Sequence, residues 1–388
     1  MKNDLKQKQT IFITGAAGYV GTMLVRKFAT SHKVIALDKE PIPTDWAVLM
    51  EGIPKENIVY IQANTSDSVD SLENSSGWQK EVASYSPEIV IHTAWQIREM
   101  YGQKSLQDKW NIQGSKAVFD FAFSTPSVSR LIHFSTVASY GAYPENTVDY
   151  LFTENDPFRV TDYLYAEEKR LVEVELRNAW QKFKEGSVVN SAMSSNKSHL
   201  TSNGDKKRHM QVVVVRPAAI TGPRGRYGRI RFGLQSALSG QLKKNFIERL
   251  VTLLVSFTPV TEKWCRQFIH EDDVVGIIDT LVSAHKLNAD YDVFNICPPG
   301  PVVLGRDMAE AVHKRPIKIH PLFIRFVFFI LWHISRGKVP TSRGGWKSYS
   351  YPIAVDGSKI TKTYGYVYKY EPKEAFVKKE GEYMKFLD

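Results

Sequence analysis

The stretch Thr14-Gly15-Ala16-Ala17-Gly18-Tyr19-Val20-Gly21 follows directly on the apolar run Ile11-Phe12-Ile13. It reads as a β-strand turning into an α-helix around a phosphate. Glycines at 15, 18 and 21 let the backbone turn sharply, approach a pyrophosphate and pack the helix on a sheet, while the helix N-terminus offers unpaired N–H groups to the anion. A helix over Thr22–Thr30 leads into a second strand, Lys33–Leu37, that ends at Asp38. An acid there accepts hydrogen bonds from both ribose hydroxyls and repels a 2′-phosphate, which selects NAD over NADP, although Lys39 beside it pulls the other way.

Working outward, apolar strand-like runs alternate with helical segments up to about Phe183. Strands are expected at Ile11–Thr14, Lys33–Leu37, Val59–Gln62, Ile89–His92, Leu131–Ser135 and Val212–Arg216, with helices near Thr22–Ala29, Ser75–Tyr85, Ser105–Phe123 and Tyr163–Lys184. This is the pattern of an α/β protein: a Rossmann-type, doubly wound parallel sheet covered on both faces. Gly186–Met210 is polar, serine-rich and basic, and reads as a flexible surface insertion. Beyond about Thr221 the alternation loosens. The chain is therefore divided into a dinucleotide-binding domain over 8–220 and a smaller C-terminal substrate-binding region over 221–388, interleaved with the sheet.

With 388 residues, 43% of them hydrophobic, the chain has ample material for a core. The polar start Met1–Thr10 lacks a secretory pattern, and Cys265 and Cys297 have neither disulfide-framework nor metal-ligand spacing. A cytoplasmic protein with no metal site is expected. A net charge of +10 raises the question of nucleic acid, but the basic residues form no recognisable nucleic-acid motif. They cluster instead around Lys206–Arg208, Arg224–Arg231 and after Lys338, where they read as solvated faces or as sites for anionic lipid or a phosphate-bearing substrate.

Two late segments are unusually apolar, Leu250–Phe257 and Pro321–Ile334. The second is shorter than the roughly 20 residues a bilayer span requires. It has three readings: a core or dimer helix, the wall of an apolar substrate pocket, or a helix lying on a membrane surface with basic flanks.

Further motifs follow in order. Ile91-His92-Thr93-Ala94-Trp95, Asn111-Ile112-Gln113-Gly114-Ser115, Phe134-Ser135-Thr136-Val137-Ala138-Ser139-Tyr140-Gly141, Tyr165-Ala166-Glu167-Glu168-Lys169, Arg216-Pro217 with Gly222-Pro223, Phe268–Asp273 and Phe294-Asn295-Ile296 succeed the glycine loop. In this order they resemble the extended short-chain dehydrogenases/reductases of the NAD-dependent epimerase/dehydratase type, over roughly Thr10–Phe376. The resemblance implies an NAD-dependent enzyme acting on a secondary alcohol or ketone, with Thr136, Tyr165 and Lys169 as its catalytic group. It implies cofactor contacts at Gly15, Ala17, Gly18, Tyr19, Val20, Gly21, Asp38, Asn64, Thr65, Thr93, Ala94, Trp95, Asn111, Tyr165, Lys169 and Pro217. It also implies a homodimer formed through the helices Ser105–Phe123 and Tyr163–Lys184.

Tyr165 and Lys169 lie four apart at the start of a helix and share a face. A phenol with pKa ~10 is too weak a base at neutral pH, but an ammonium at ~4 Å in an effective dielectric of ~20 contributes about 4 kcal/mol, or roughly three pK units. Tyr165 would then exchange a proton with the substrate oxygen, which Thr136 holds by a hydrogen bond. Ala219 stands where nucleotide-sugar epimerases of the family commonly carry Asn, and Asn64 stands where many members carry Asp. Val137 follows Thr136 in place of the acidic pair of the 4,6-dehydratases, which counts against dehydration. The substrate is thus read as a nucleotide sugar, to whose diphosphate Arg224, Arg226 and Arg229 are suited, or as an apolar alcohol of the hydroxysteroid-dehydrogenase kind. A non-catalytic NAD-binding protein is the reading from another class.

Overall fold

The computed structural model describes residues 8–67, 77–195, 208–227, 257–311, 315–339, 341–378 and 380–386. Six strands come from the first part of the chain: β1 (Thr10–Thr14), β2 (Lys33–Asp38), β3 (Ile58–Gln62), β4 (Ile89–His92), β5 (Arg130–Phe134) and β6 (Gln211–Pro217). With Tyr291–Ile296 they make a seven-stranded sheet in the order Tyr291–Ile296, β6, β5, β4, β1, β2, β3. Every adjacent pair is parallel. The chain leaves β1 for β2 on one side and returns to β4 on the other, so the loops after β1 and β4 diverge and leave a crevice at the carboxyl ends of the strands.

The strand sequences are apolar throughout because both faces are buried, and their two-residue period decides which face each side chain enters. Ile11, Ile13, Val34, Ala36, Ile89 and Ile91 pack with α1 (Tyr19–Ala29) and the helix Glu271–Ser283. Phe12, Ile35, Leu37, Val90 and Leu131 pack on the opposite face with α3 (Trp78–Ser84), α5 (Gly114–Ser124) and α6 (Leu164–Ser195). Each such buried side chain contributes about 1.5–3 kcal/mol relative to exposure. α1 is amphipathic in the same sense, burying Met23, Leu24, Val25 and Phe28 and ending in Arg26 and Lys27 near its negative dipole end.

The helices depart from expectation in two places. The one expected at Ser105–Phe123 is α4 (Lys104–Asp108) and α5 joined by a π-helical turn, Lys109–Gln113. The turn carries Asn111, whose side chain is held by Gln96 and Glu168, as described below. α6 runs to Ser195, well into the stretch whose composition reads as a flexible insertion. Residues 196–207 lie outside the described residues, but Arg208 is fastened to the carbonyls that end α5, donating to Ala122 O at 2.8 Å and Val128 O at 2.9 Å. A polar composition therefore does not make either flank of this segment loose.

The C-terminal region adds three short strand pairs: Ala219–Thr221 with Phe268–His270, Cys265–Arg266 with Val303–Leu304, and Phe257–Val260 with Arg315–Lys318. Val260, Trp264, Phe268, Met308 and Phe376 form its own core. Of the apolar segment Leu250–Phe257, all but Phe257 lies outside the described residues. Pro321–Ile334 is a helix. Tyr291–Ile296 returns to the main sheet beside β6, which ties the region to the Rossmann sheet.

Candidate active site

At the switch point the glycine turn makes the floor of a cavity of about 420 Å³. Gly15 has φ +73°, and a Cβ there would lie 2.6 Å from Ala94 N. A Cβ on Gly21 would lie 2.0 Å from Gly15 O, so the helix can approach the strand only with glycine here. Asp38, at the end of β2, accepts from Ala17 N at 2.9 Å and from Glu40 N at 2.9 Å, which locks the turn to the acid. Thr93 Oγ1 donates to Thr14 O at 2.7 Å and fixes the segment after β4.

Of the residues that the sequence assigns to the cofactor, Gly15, Ala17, Gly18, Tyr19, Val20, Gly21, Asp38, Asn64, Thr65, Thr93, Ala94, Trp95 and Asn111 line this cavity, and Tyr165, Lys169 and Pro217 do not. Asn111 is also a tie. It accepts from Gln96 N at 2.7 Å, donates to Gln96 O at 3.0 Å and donates to Glu168 at 2.7 Å. Burial raises the Glu168 carboxyl to about 7.

Arg224 lines the cofactor cavity beside Thr22 and Asp45, each 3.5 Å away, and its Nε and Nη1 are buried with no hydrogen-bond partner among the described residues. α1 starts without a side-chain cap. An uncapped helix N-terminus, an underused buried guanidinium and a glycine cradle fit the pyrophosphate of a dinucleotide, an anion that satisfies all three.

A second cavity of about 300 Å³ adjoins the first. Tyr19, Val20, Ile97 and Arg98 line both. Thr136 and Tyr165 open into the second, and so does Pro217, which the sequence assigns to the cofactor. Thr136 Oγ1 accepts from Ala138 N at 3.2 Å. Burial raises the Tyr165 phenol above its ordinary value, and a hydrogen bond from Thr136 partly offsets this.

Lys169 lines neither cavity. Its amine donates to Phe134 O and lies 3.6 Å from the centroid of the Trp95 ring. Burial lowers it to about 7, against the opposing charges of Glu168 and Glu173. The polar neighbour that acts on the phenol is Thr136 rather than the lysine. Lys169 lies one helical turn further along α6, where the carbonyl ending β5 and the indole after β4 hold its amine. Buried His92 and His133, both with pKa lowered first by burial and then by Lys169, stack on each other with ring centroids 5.3 Å apart.

Other contacts of the site were not assigned from the sequence. Tyr19 donates to Glu271, whose carboxyl burial raises to about 7. Gly222 has φ +145°, and a Cβ there would meet Glu271 Cδ at 2.4 Å. Tyr163, Trp264, Arg266, Trp332 and Tyr349 wall the second cavity, with the Arg266 guanidinium 4.8 Å from the Tyr349 ring centroid. Local hints were Glu271 inside the Phe268–Asp273 segment, Gly222 inside Gly222-Pro223, and Trp332 inside Pro321–Ile334, one reading of which was a pocket wall.

The sheet, its switch point and the phosphate cradle define a dinucleotide-binding enzyme scaffold. The family model of the NAD dependent epimerase/dehydratase family matches residues 11–297. The chain belongs to this NAD-dependent enzyme family. No curated protein matches the sequence. Among solved structures it is similar to MoeE5 in complex with UDP-glucuronic acid and NAD, at 15% identity and TM-score 0.62 over 95% of this chain and 96% of that one. It is also similar to the UDP-glucose 4-epimerase of Thermotoga maritima with UDP-glucose, at 17% identity and TM-score 0.59 over 95% and 96%. The dTDP-glucose 4,6-dehydratase of Bacillus anthracis in complex with NAD gives 13% identity and TM-score 0.61 over 96% and 95%. At these identities the likeness shows the fold.

Proposed function

We propose that the protein catalyses NAD-dependent oxidation and reduction at a secondary alcohol carbon held against Tyr165 and Thr136. The observation that carries this reading is the seam at which the cofactor cavity and the Tyr165-lined cavity share Tyr19, Val20, Ile97 and Arg98. NAD, when bound, supplies the hydride acceptor. Thr136 donates to the phenol oxygen and orients it; in reduction the protonated Tyr165 phenol gives its proton to the substrate oxygen, and in oxidation the Tyr165 phenolate, formed as pH rises, takes the hydroxyl proton. In this reading the buried Lys169 amine, which lies over the Trp95 ring and donates to Phe134 O, turns to a ribose hydroxyl of the bound cofactor.

The wall of the second cavity is dominated by Tyr163, Trp264, Trp332, Tyr349 and Phe376, with Ala219 among them, which favours an apolar or aromatic alcohol. A nucleotide sugar is the second reading, supported by the similarity to structures holding UDP sugars and by Arg98 and Arg266 in the wall. The homodimer belongs to the proposal as well. Leu106, Leu171 and Val174 are exposed apolar residues on α4 and α6, the helices expected to meet a second copy. Cys265 and Cys297 are buried and unbridged, in keeping with a reducing, cytoplasmic setting.

Protein purified without added nucleotide and then denatured identifies the reaction through mass spectrometry of what is released. Stoichiometric NAD indicates a cofactor regenerated in each turnover, and UDP-sugar epimerisation is assayed next. Reversible NAD binding with NADH formed from apolar secondary alcohols establishes net oxidation. Absence of both activities in protein that binds NAD overturns the catalytic reading.

A further inference from the structure

The helix Pro321–Ile334 shows solvent a face as apolar as the one it buries. Its start is set locally, by Pro321 in the first turn and by His320 Nδ1 accepting from Leu322 N at 3.3 Å. Ile324 and Trp332 are buried, and Trp332 packs against Tyr101 at 5.5 Å and walls the second cavity. On the outer side Leu322, Phe326 and Phe329 fall at helical spacing and are 58%, 59% and 62% exposed, flanked by Phe323 at 56% and Ile334 at 79%. Single exposed apolar residues are ordinary, but a stripe of five on one helix face marks a contact surface. Fourteen residues make a helix about 21 Å long, too short to cross a bilayer. Among the described residues no helix is long and apolar enough to cross a membrane.

The charge around the stripe discriminates among what could cover it. From Ala311 to Val355 the sequence has eight Lys and Arg and no Asp or Glu. Lys347 pairs with Asp162 at 2.8 Å and Lys318 lies 3.8 Å from Glu262. Arg325, Arg336 and Lys338 are exposed, and among the described residues no carboxylate lies within ion-pair distance of them. A second copy docked about a twofold axis would set these cations against their own images. An anionic headgroup layer supplies both the counter-charge and an apolar sink a few ångströms below it.

We propose that the helix Pro321–Ile334 docks the protein in the plane of an anionic phospholipid membrane. Phe326 and Phe329 enter the acyl boundary, and Arg325, Arg336 and Lys338 meet the headgroups. Since Trp332 faces the second cavity from the same helix, docking sets that cavity beside the bilayer surface. This inference holds for either substrate reading.

The test is sedimentation of the full chain with phosphatidylcholine–phosphatidylglycerol vesicles and with pure phosphatidylcholine vesicles, at low and high salt. Binding is expected to the phosphatidylglycerol vesicles, weakening as salt rises. The pair Phe326→Ser and Phe329→Ser should lower partitioning by about tenfold or more, with NAD affinity and oligomeric state unchanged. Arg336→Glu with Lys338→Glu should do the same through charge alone, and serves should the serine pair fail to fold. Wild-type protein that stays in the supernatant at low salt overturns the proposal. So does a folded serine pair that binds as wild type, or light scattering in which that pair dissociates a wild-type dimer, since a second copy would then cover the face.

Discussion

The two adjoining cavities are assembled from the chain in opposite ways. The cofactor cavity is lined by short runs at the carboxyl ends of neighbouring parallel strands, Gly15–Gly21 after β1, Leu37–Glu40 after β2, Ala63–Thr65 after β3 and Thr93–Arg98 after β4. The second cavity combines short runs such as Thr136–Ala138 and Trp264–Phe268 with lone residues of the C-terminal region, from as far apart as Tyr19 and Phe376. A phosphate bound by backbone N–H groups demands glycines at set intervals, which leave a local signature. A pocket walled by large side chains demands only that something of the right size arrive there, from any part of the chain.

Substitutions that act on one cavity and spare the other test this division. The largest effect is expected from Tyr165→Phe, which should lower turnover by about 10³-fold while NAD affinity, read by calorimetry, stays unchanged. A fall in both would mean that the phenol belongs to the cofactor site.

The seam responds to pH through Glu271. Its folded pKa, raised to about 7 from 4.5, means that the folded state holds the proton more tightly than the unfolded chain. This contribution is complete below about pH 4.5 and is lost as pH rises through about 7. Thermal unfolding across that window should show Glu271→Gln, which keeps a neutral side chain throughout, removing about 2–3 kcal/mol of the wild-type decline. Parallel wild-type and variant curves would show that the carboxyl is not buried as described.

On the cofactor side, Gly15→Ala places a Cβ 2.6 Å from Ala94 N at φ +73° and should weaken NAD roughly 30-fold. Arg224→Met should weaken NAD about tenfold, as one charge-assisted contact to the pyrophosphate is lost. Its thermal midpoint without NAD should hold or rise, because a buried, underpaired guanidinium is removed. Unchanged NAD affinity would return Arg224 to a structural role. The smallest effect is expected from Arg266→Leu, a rise of about fivefold in the KM of an anionic substrate with NAD affinity untouched. An uncharged alcohol as substrate would show no such rise.

Much of the cofactor half was legible because each part is a local statement. The six strands fall within a residue or two of where their apolar runs place them, and the acid ending β2 meets the glycine turn directly. Lys169 was legible as a residue and misleading as a charge. Four positions along a helix put it on the face of Tyr165, but Phe134 O and the Trp95 ring, both brought in by other strands, decide where its amine points. The π-helical turn at Asn111 was hidden for the same reason, since the carboxyl of Glu168 and the backbone of Gln96 that engage the side chain come from elsewhere. The sequence put Arg224 among cations suited to a diphosphate, but only the fold decides that it lines the cofactor cavity.

The sequence by itself determined the doubly wound sheet, the dinucleotide cradle and the family, because hydrophobic period, glycine spacing and strand-end acids act between residues close in the chain. Tertiary structure alone decided the aromatic wall of the second cavity, the surroundings of Lys169 and Glu271, and which side of Pro321–Ile334 faces outward. Those depend on burial and on partners distant in the chain, 35 residues for Lys169 with Phe134 and 252 for Tyr19 with Glu271, and burial is a property of the assembled core rather than of any segment within it.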